Sequence, residues 1–224
     1  FINDLTGTTL AEGAMSVEAC TKEIEFVPLE LDGQPVVLID TPGLDAEEHS
    51  AASRKIIQYL RLMYKEGNEL TGIVYMHRIT DNRISAIAIQ NFASFHNMCG
   101  EDAMQNVAIV TNLWTLVRRE VGEARERELT STCYKSALDQ GAKILRNDGA
   151  VDSAKRILRD LLNNDEVVLQ CQGSPPSQTN NSVIKKPHRH HFSLSGGNLS
   201  AARCLPKFWV GSSSSNNKSK HSLR

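Results

Sequence analysis

The chain has 224 residues, of which 40% are hydrophobic and 23% charged, with a formal net charge of −1; that is the composition of an ordinary globular domain and not of a fibrous or wholly disordered chain. No apolar run approaches the roughly 20 residues that a membrane-spanning helix requires. The charge is divided, with eight basic and no acidic side chains in residues 173–224 and an excess of acid before them, so the body of the chain gives no strong signal for nucleic acid.

Phe1 and Leu5 lie four apart and Gly7 follows, a pattern that predicts the last turns of a helix with a glycine cap. A helix already in phase at the first residue implies a chain that starts inside a longer reading frame. Residues 8–22 are small and polar and read as a loop. An irregular strand is expected over Glu23–Leu31 around Pro28, then a tight turn at Asp32-Gly33. Val36-Val37-Leu38-Ile39 returns as a buried strand and ends in Asp40-Thr41-Pro42-Gly43. These four are common turn formers, yet an aspartate closing a buried strand is costly without an opposite charge and asks for a cation.

Further along, Ile56, Ile57, Leu60 and Met63 predict an amphipathic helix within 47–64. Gly72–Met76 is an apolar strand ending at His77-Arg78, the histidine being expected to bond Asp81 or a loop carbonyl. Ile84, Ile87, Phe92, Phe95 and Cys99 mark a helix stopped by Gly100. Val107–Val110 is a third buried strand, ending at Thr111-Asn112. The charge-rich stretch 115–147 reads as helical, with opposite charges paired along Arg118–Glu128. Ala154, Ile157, Leu158, Leu161 and Leu162 form another helix, and Val167–Leu169 a last strand candidate.

Strands that alternate with helices, the later strands short and wholly apolar, predict an α/β fold with a mixed, mostly parallel sheet covered on both faces. Such sheets bind ligands at the carboxyl ends of their strands, where Asp40, His77 and Thr111 all fall. Two regions follow from composition: a domain over 1–172 and a basic Ser/Asn-rich tail over 173–224, expected to be disordered. The tail's His188, Arg189, His190 and His191 lack nearby Cys or carboxylate partners for a metal. Five scattered cysteines without a C-x-x-C pair fit reduced thiols of a cytoplasmic protein.

Four stretches, Phe1-Ile2-Asn3, Cys20–Ile24, Leu38–Gly43 and Val107–Trp114, resemble the G domain of the translation-factor-related P-loop GTPases. The likeness is nearest to fungal G-domain proteins related to septins and to immunity-associated and chloroplast-import GTPases. It extends over about 1–172 and implies the three-layer P-loop NTPase fold. By that resemblance Phe1-Ile2-Asn3 would directly follow the phosphate-binding loop, so the first strand and the loop itself would be missing from this chain. None of its glycines is followed by lysine, so no G-x-x-x-x-G-K-S/T occurs in it.

The resemblance further implies GTP and Mg²⁺ as ligands. Thr21 and Asp40 would serve the metal. Thr21, Asp40, Thr41, Gly43, Thr111 and Asn112 would bind the nucleotide, and Gly43 would sense the γ-phosphate. No catalytic residue is assigned, because Leu44 stands where related enzymes orient the attacking water. Hydrolysis is therefore expected to be slow, with a homodimer or protein partner engaged through residues 8–22 and 43–52. The guanine-reading motif is also degenerate: Asn112 replaces its lysine, and Trp114 replaces its aspartate and offers a ring to stack on a base. Two alternatives stay open, a non-catalytic interaction module that has lost nucleotide binding, and a relative that uses ATP.

Overall fold

A computed structural model of the chain describes residues 1–6, 24–43, 49–81, 84–173 and 207–212. Within them six strands form one sheet, β1 (Glu25–Leu31), β2 (Gln34–Asp40), β3 (Gly72–Arg78), β4 (Val107–Asn112), β5 (Lys143–Arg146) and β6 (Lys207–Ser212), in the order β1-β2-β6-β3-β4-β5. The helices are α1 (Ile2–Thr6), α2 (His49–Lys65), α3 (Ala86–Cys99), α4 (Arg119–Ser131), α5 (Lys135–Asp139), α6 (Val151–Leu162) and α7 (Gln170–Gly173).

The hairpin forms where the sequence predicts it. Asp32 and Gly33 both take positive φ, 53° and 76°, the conformation that a two-residue hairpin turn demands. It sets the antiparallel register Leu31↔Gln34 through Glu25↔Asp40. Pro28, which lacks a backbone donor, is accommodated because β1 is an edge strand.

All other pairings in the sheet are parallel, and the apolar residues of β2, β3, β4 and β5 are divided between two cores. Val36, Leu38, Val74, Met76, Ala108 and Val110 pack with Ile157, Leu158 and Leu161 of α6, with Phe1, Ile2 and Leu5 partly buried beside them. Ile39, Ile73, Tyr75, Val107 and Ile109 meet Ile56, Leu60 and Met63 of α2, Phe92 and Phe95 of α3, and Leu129 and Tyr134. A sheet with apolar side chains on both faces needs a layer of helices on each. The three-layer fold follows.

Three expectations need correction. The stretch 115–147 is not helical throughout, since it ends in the strand β5. That strand lies at an edge and is only partly buried, so Lys143 and Arg146 around Ile144-Leu145 hide it within a charged run. Val167–Leu169 is not a strand of the sheet: Val167 makes an isolated antiparallel bridge to Leu70 before α7. Most consequentially, six residues of the segment read as a disordered tail form β6, and β6 is central. Its backbone pairs in parallel with Val37–Asp40 on one side and Gly72–Met76 on the other, so the place of the strand expected to be missing is filled from the C-terminal region. The pairing covers edges of β2 and β3 that would otherwise stand unpaired in the interior of the sheet.

Candidate functional site

The carboxyl ends of β2, β3 and β4 lie along one edge of the sheet. Asp40 closes β2 half-buried, followed by buried Thr41 and Pro42 and half-buried Gly43. His77 and Thr111 are paired residues of β3 and β4, and Arg78 and Asn112 are the next pair. The sheet thus brings Asp40, Thr41, Thr111 and Asn112 to a common edge. Thr21 and Leu44 lie outside the described residues.

Two polar atoms at this edge are buried without a hydrogen-bond partner among the described residues, Asn112 Oδ1 and Arg78 Nε. An unsatisfied buried polar atom costs about 1–3 kcal/mol, and such groups mark places where an ion, water or ligand completes the structure. Among the described residues no group of three or more His, Cys, Asp or Glu side chains gathers to hold a metal. Asp40 with Thr41 is therefore a fragment of a metal site at most, of the kind in which a hard cation keeps waters and ligand phosphate oxygens as its other partners.

His77 is almost fully buried, and its Nδ1 lies 2.9 Å from the Tyr134 hydroxyl, its side-chain partner among the described residues in place of the expected Asp81. Burial, aided by Arg78 and opposed by Asp81, holds the imidazole below its ordinary value. Burial likewise pushes the Tyr134 phenol well up, so it keeps its proton. The adjoining hollow, of about 10 Å³, has room for one water and nothing larger. His77 is a structural member of the core under the site. Its folded-state pKa is lowered, so stability from the neutral ring is complete above the unfolded value of about 6.5 and is lost as pH falls through the folded one. Denaturant titrations from pH 7.5 to 5 are expected to show this loss, at up to about 1.4 kcal/mol per pH unit, and a flatter profile for His77→Gln. Parallel profiles would place the acid sensitivity elsewhere.

Beyond β4 the expected base-reading turn takes a different form. Leu113 has φ 62°, and a 3-10 turn spans Trp114–Leu116. Trp114 Nε1 donates to the Thr111 carbonyl (3.2 Å) and hydroxyl (3.0 Å). The hydroxyl lies within donating distance of Glu126 Oε1 (3.2 Å) and the Leu145 carbonyl (3.3 Å). Glu126 in turn holds the Arg146 guanidinium through both carboxylate oxygens, and that guanidinium lies 4.2 Å above the Trp114 ring centroid. Gly122 permits the arrangement, for a Cβ there would come within 2.7 Å of the indole. The stacking face expected of Trp114 is therefore taken by Arg146. A cation–π contact and a bidentate ion pair hold the cluster closed, and no sequence pattern announces it, since Arg146 and Glu126 are 20 residues apart.

The described cysteines, Cys99, Cys133 and Cys171, are free thiols. Burial pushes Cys133 and Cys171 up to about 11, so neither offers a thiolate nucleophile at neutral pH.

The structure is a three-layer α/β domain whose mostly parallel sheet carries Asp40, Thr41, Thr111 and Asn112 along its carboxyl edge, a fold shared with the P-loop GTPases. Residues 1–112, half of the chain, match the model of the family described as 50S ribosome-binding GTPase, and the chain belongs to that family. Two crystal structures of Toc33 from Arabidopsis thaliana share the fold at 15% identity. One is a dimerization-deficient mutant, with a TM-score of 0.55; the other is a complex with Mg²⁺ and GMPPNP, with a TM-score of 0.54. In each comparison 66% of this chain is covered, and the chain spans 64% of the length of the Toc33 structure. Among curated proteins none matches the sequence significantly.

Proposed function

We propose that this chain belongs to a GTP-dependent switch which, in its full-length form, binds the nucleotide with Mg²⁺ bridging the protein and the phosphates and hydrolyses it slowly to GDP. The observation that carries the reading is the convergence of Asp40 and Thr41 with Thr111 and Asn112 at one carboxyl edge of a sheet whose first 112 residues match a GTPase family. In this reading Asp40 and Thr21 serve the metal, while Thr41, Gly43, Thr111 and Asn112 contact the nucleotide. Leu44, unable to hydrogen-bond a water, leaves the chemical step to a partner. A partner that completes the site, a second copy of the chain included, accords with the dimerization and the Mg²⁺–GMPPNP complex named for Toc33. A cytoplasmic location belongs to the same proposal; among the described residues no helix is long and apolar enough to cross a membrane.

Displacement of a fluorescent GTP analogue from a form of the protein that carries a phosphate-binding loop ahead of Phe1 tests the reading. Mg²⁺-dependent binding of GTP in preference to ATP is expected, with turnover far slower than binding. If neither nucleotide competes at high micromolar concentration, the switch reading fails. One observation favours the second reading, a non-catalytic interaction module: β6 enters the sheet beside Asp40, with Val210 opposite it, and among the described strands it occupies the interior position between β2 and β3. Native-like stability together with absent nucleotide binding is the result that reading expects.

A further inference from the structure

The position of β6 is defined closely by its neighbours. β2 has two sides: β1 runs antiparallel along one, and β6 runs parallel along the other, with Val210 opposite Asp40. On its far side β6 pairs with β3, from Gly72↔Phe208 to Met76↔Ser212. Because β6 is parallel to both, its Gly211-Ser212 end reaches the carboxyl edge, and the chain leaves the strand there, next to Asp40. The hold of the rest of the fold on β6 is indirect. Residues 174–206 join it to α7, and a coil of that many residues has a reach on the order of 30 Å. α7 is fastened separately: the Cys171 carbonyl accepts from Arg61 Nε at 2.7 Å, and Gln172 Nε2 donates to the Leu60 carbonyl at 3.0 Å. Departure of β6 from the sheet therefore leaves α7 seated on α2.

We infer that β6 is an autoinhibitory strand: it fills the place that a phosphate-loop strand must take, and nucleotide binding expels it. The inference rests on the GTP-binding reading above and adds its regulation. A phosphate loop needs a strand leading into it and a helix after it. The helix is present as α1, docked through Phe1, Ile2 and Leu5 on the core that α6 covers. For the loop to share phosphates with a cation at Asp40, its strand must run parallel beside β2. One side of β2 is closed by the hairpin to β1 through Asp32-Gly33, so the side that β6 occupies is the one left. Both strands would use the same backbone N–H and C=O groups of Val37–Asp40 and Gly72–Met76, and each group serves one partner strand at a time. Occupation is mutually exclusive. Nucleotide binds the form that β6 has left, so its apparent affinity falls with the fraction of molecules in that form, and by linkage GTP drives β6 out. A strand on a flexible tether competes at an effective concentration on the order of millimolar, enough to inhibit. A strand tied to α1 by a loop of about eight residues has the shorter tether, so β6 is displaceable.

The test uses a form of the protein that carries a phosphate-binding loop and its strand ahead of Phe1, with the 224-residue chain as reference. Amide hydrogen exchange reads which strand fills the slot. Without nucleotide, the amides of 207–212 are expected to be protected. With GTP and Mg²⁺ they should exchange freely, while those of 36–40 and 72–76 stay protected because another strand has replaced β6. Val210→Pro, which removes a donor from β6 alone, should tighten GTP in the longer form at least about threefold. The same substitution should destabilise the 224-residue chain, a reversal of sign that a merely structural strand does not produce. Amides of 207–212 that stay protected with GTP bound, or that are unprotected without it, overturn the inference and leave the nucleotide-binding reading standing. Equal GTP affinity in wild type and Val210→Pro does the same. If neither protein binds GTP, the nucleotide-binding reading fails and the inference with it.

Discussion

Val210→Pro is expected to be the most damaging single substitution in the chain, although it lies in a segment whose composition reads as a tail. Val210 is opposite Asp40 in β2 and Val74 in β3. Whichever neighbour its backbone N–H faces, a strand is there to accept from it. Proline removes that donor and cannot be placed in an interior strand without breaking the ladder. Proline inside a helix costs about 3 kcal/mol or more, and a comparable loss here is a large part of the roughly 5–15 kcal/mol by which domains are stable. The damage also spreads, because losing β6 leaves β2 and β3 as open, apolar edges prone to pairing with other chains. Chemical denaturation and light scattering check both parts: a large fall in midpoint and concentration-dependent aggregation for Val210→Pro. As a control, proline already occupies position 28 of β1, where the sheet has no further neighbour on one side. A variant as stable and monodisperse as the wild type would show that β6 is not needed in the sheet.

The parts of the fold that were legible in the sequence are those fixed by local, strongly patterned chemistry. Asp32-Gly33 signals the hairpin because few other pairs accept positive φ at both positions. The runs at 36–39, 72–76 and 107–110 signal strands buried on both faces because nothing else in a globular chain requires such uniform apolarity over so short a span. The helices α2, α3 and α6 show their apolar stripes, whereas α4 and α5 were legible only as one charge-rich helical stretch that also took in β5. What was hidden depends on contacts between residues far apart in the chain. The interior strand β6 runs into a serine-rich stretch, and its place between β2 and β3 depends on partners more than 130 residues away that no local pattern expresses. Composition described the polarity of this region but not its pairing with two distant strands.

The same division holds at the site. Asp40, Thr111 and Asn112 could be placed at strand ends from the apolar runs before them, and the family resemblance supplied their proposed roles. The closure of Trp114 could not be anticipated, because it depends on Arg146 from β5, Glu126 from α4 and the missing side chain of Gly122 meeting at one indole. Nor could His77's partner, since Tyr134 lies 57 residues away. A sheet edge gathers side chains from successive loops, so residue types read one at a time understate what the edge can recognise.

Replacing Asp40 by asparagine separates the two readings of this edge. The substitution is nearly isosteric, and Asp40 is only half-buried, so the packing of Ile39 and Thr41 is preserved and the change in folding stability is expected to stay within about 1 kcal/mol. The charge is what disappears. A Mg²⁺ ion is a hard cation that prefers carboxylate oxygen and remains partly hydrated, held by one or two carboxylates together with ligand phosphates; a neutral amide is a poor replacement. For the wild-type protein carrying a phosphate-binding loop, GTP affinity is expected to be higher in Mg²⁺ than in EDTA. For Asp40→Asn, the two affinities should converge, a loss on the order of 10–100-fold in the Mg²⁺-dependent term. Binding in EDTA should be unchanged or tighter, because a negative charge near the phosphates has been removed. If Asp40→Asn keeps the full Mg²⁺ dependence, Asp40 is an ordinary turn former and the metal is held elsewhere. If the wild type shows no Mg²⁺ dependence while remaining stably folded, the edge works as the surface of an interaction module, in which the carboxylate is a polar strand end beside β6 and the sheet is a scaffold without nucleotide chemistry.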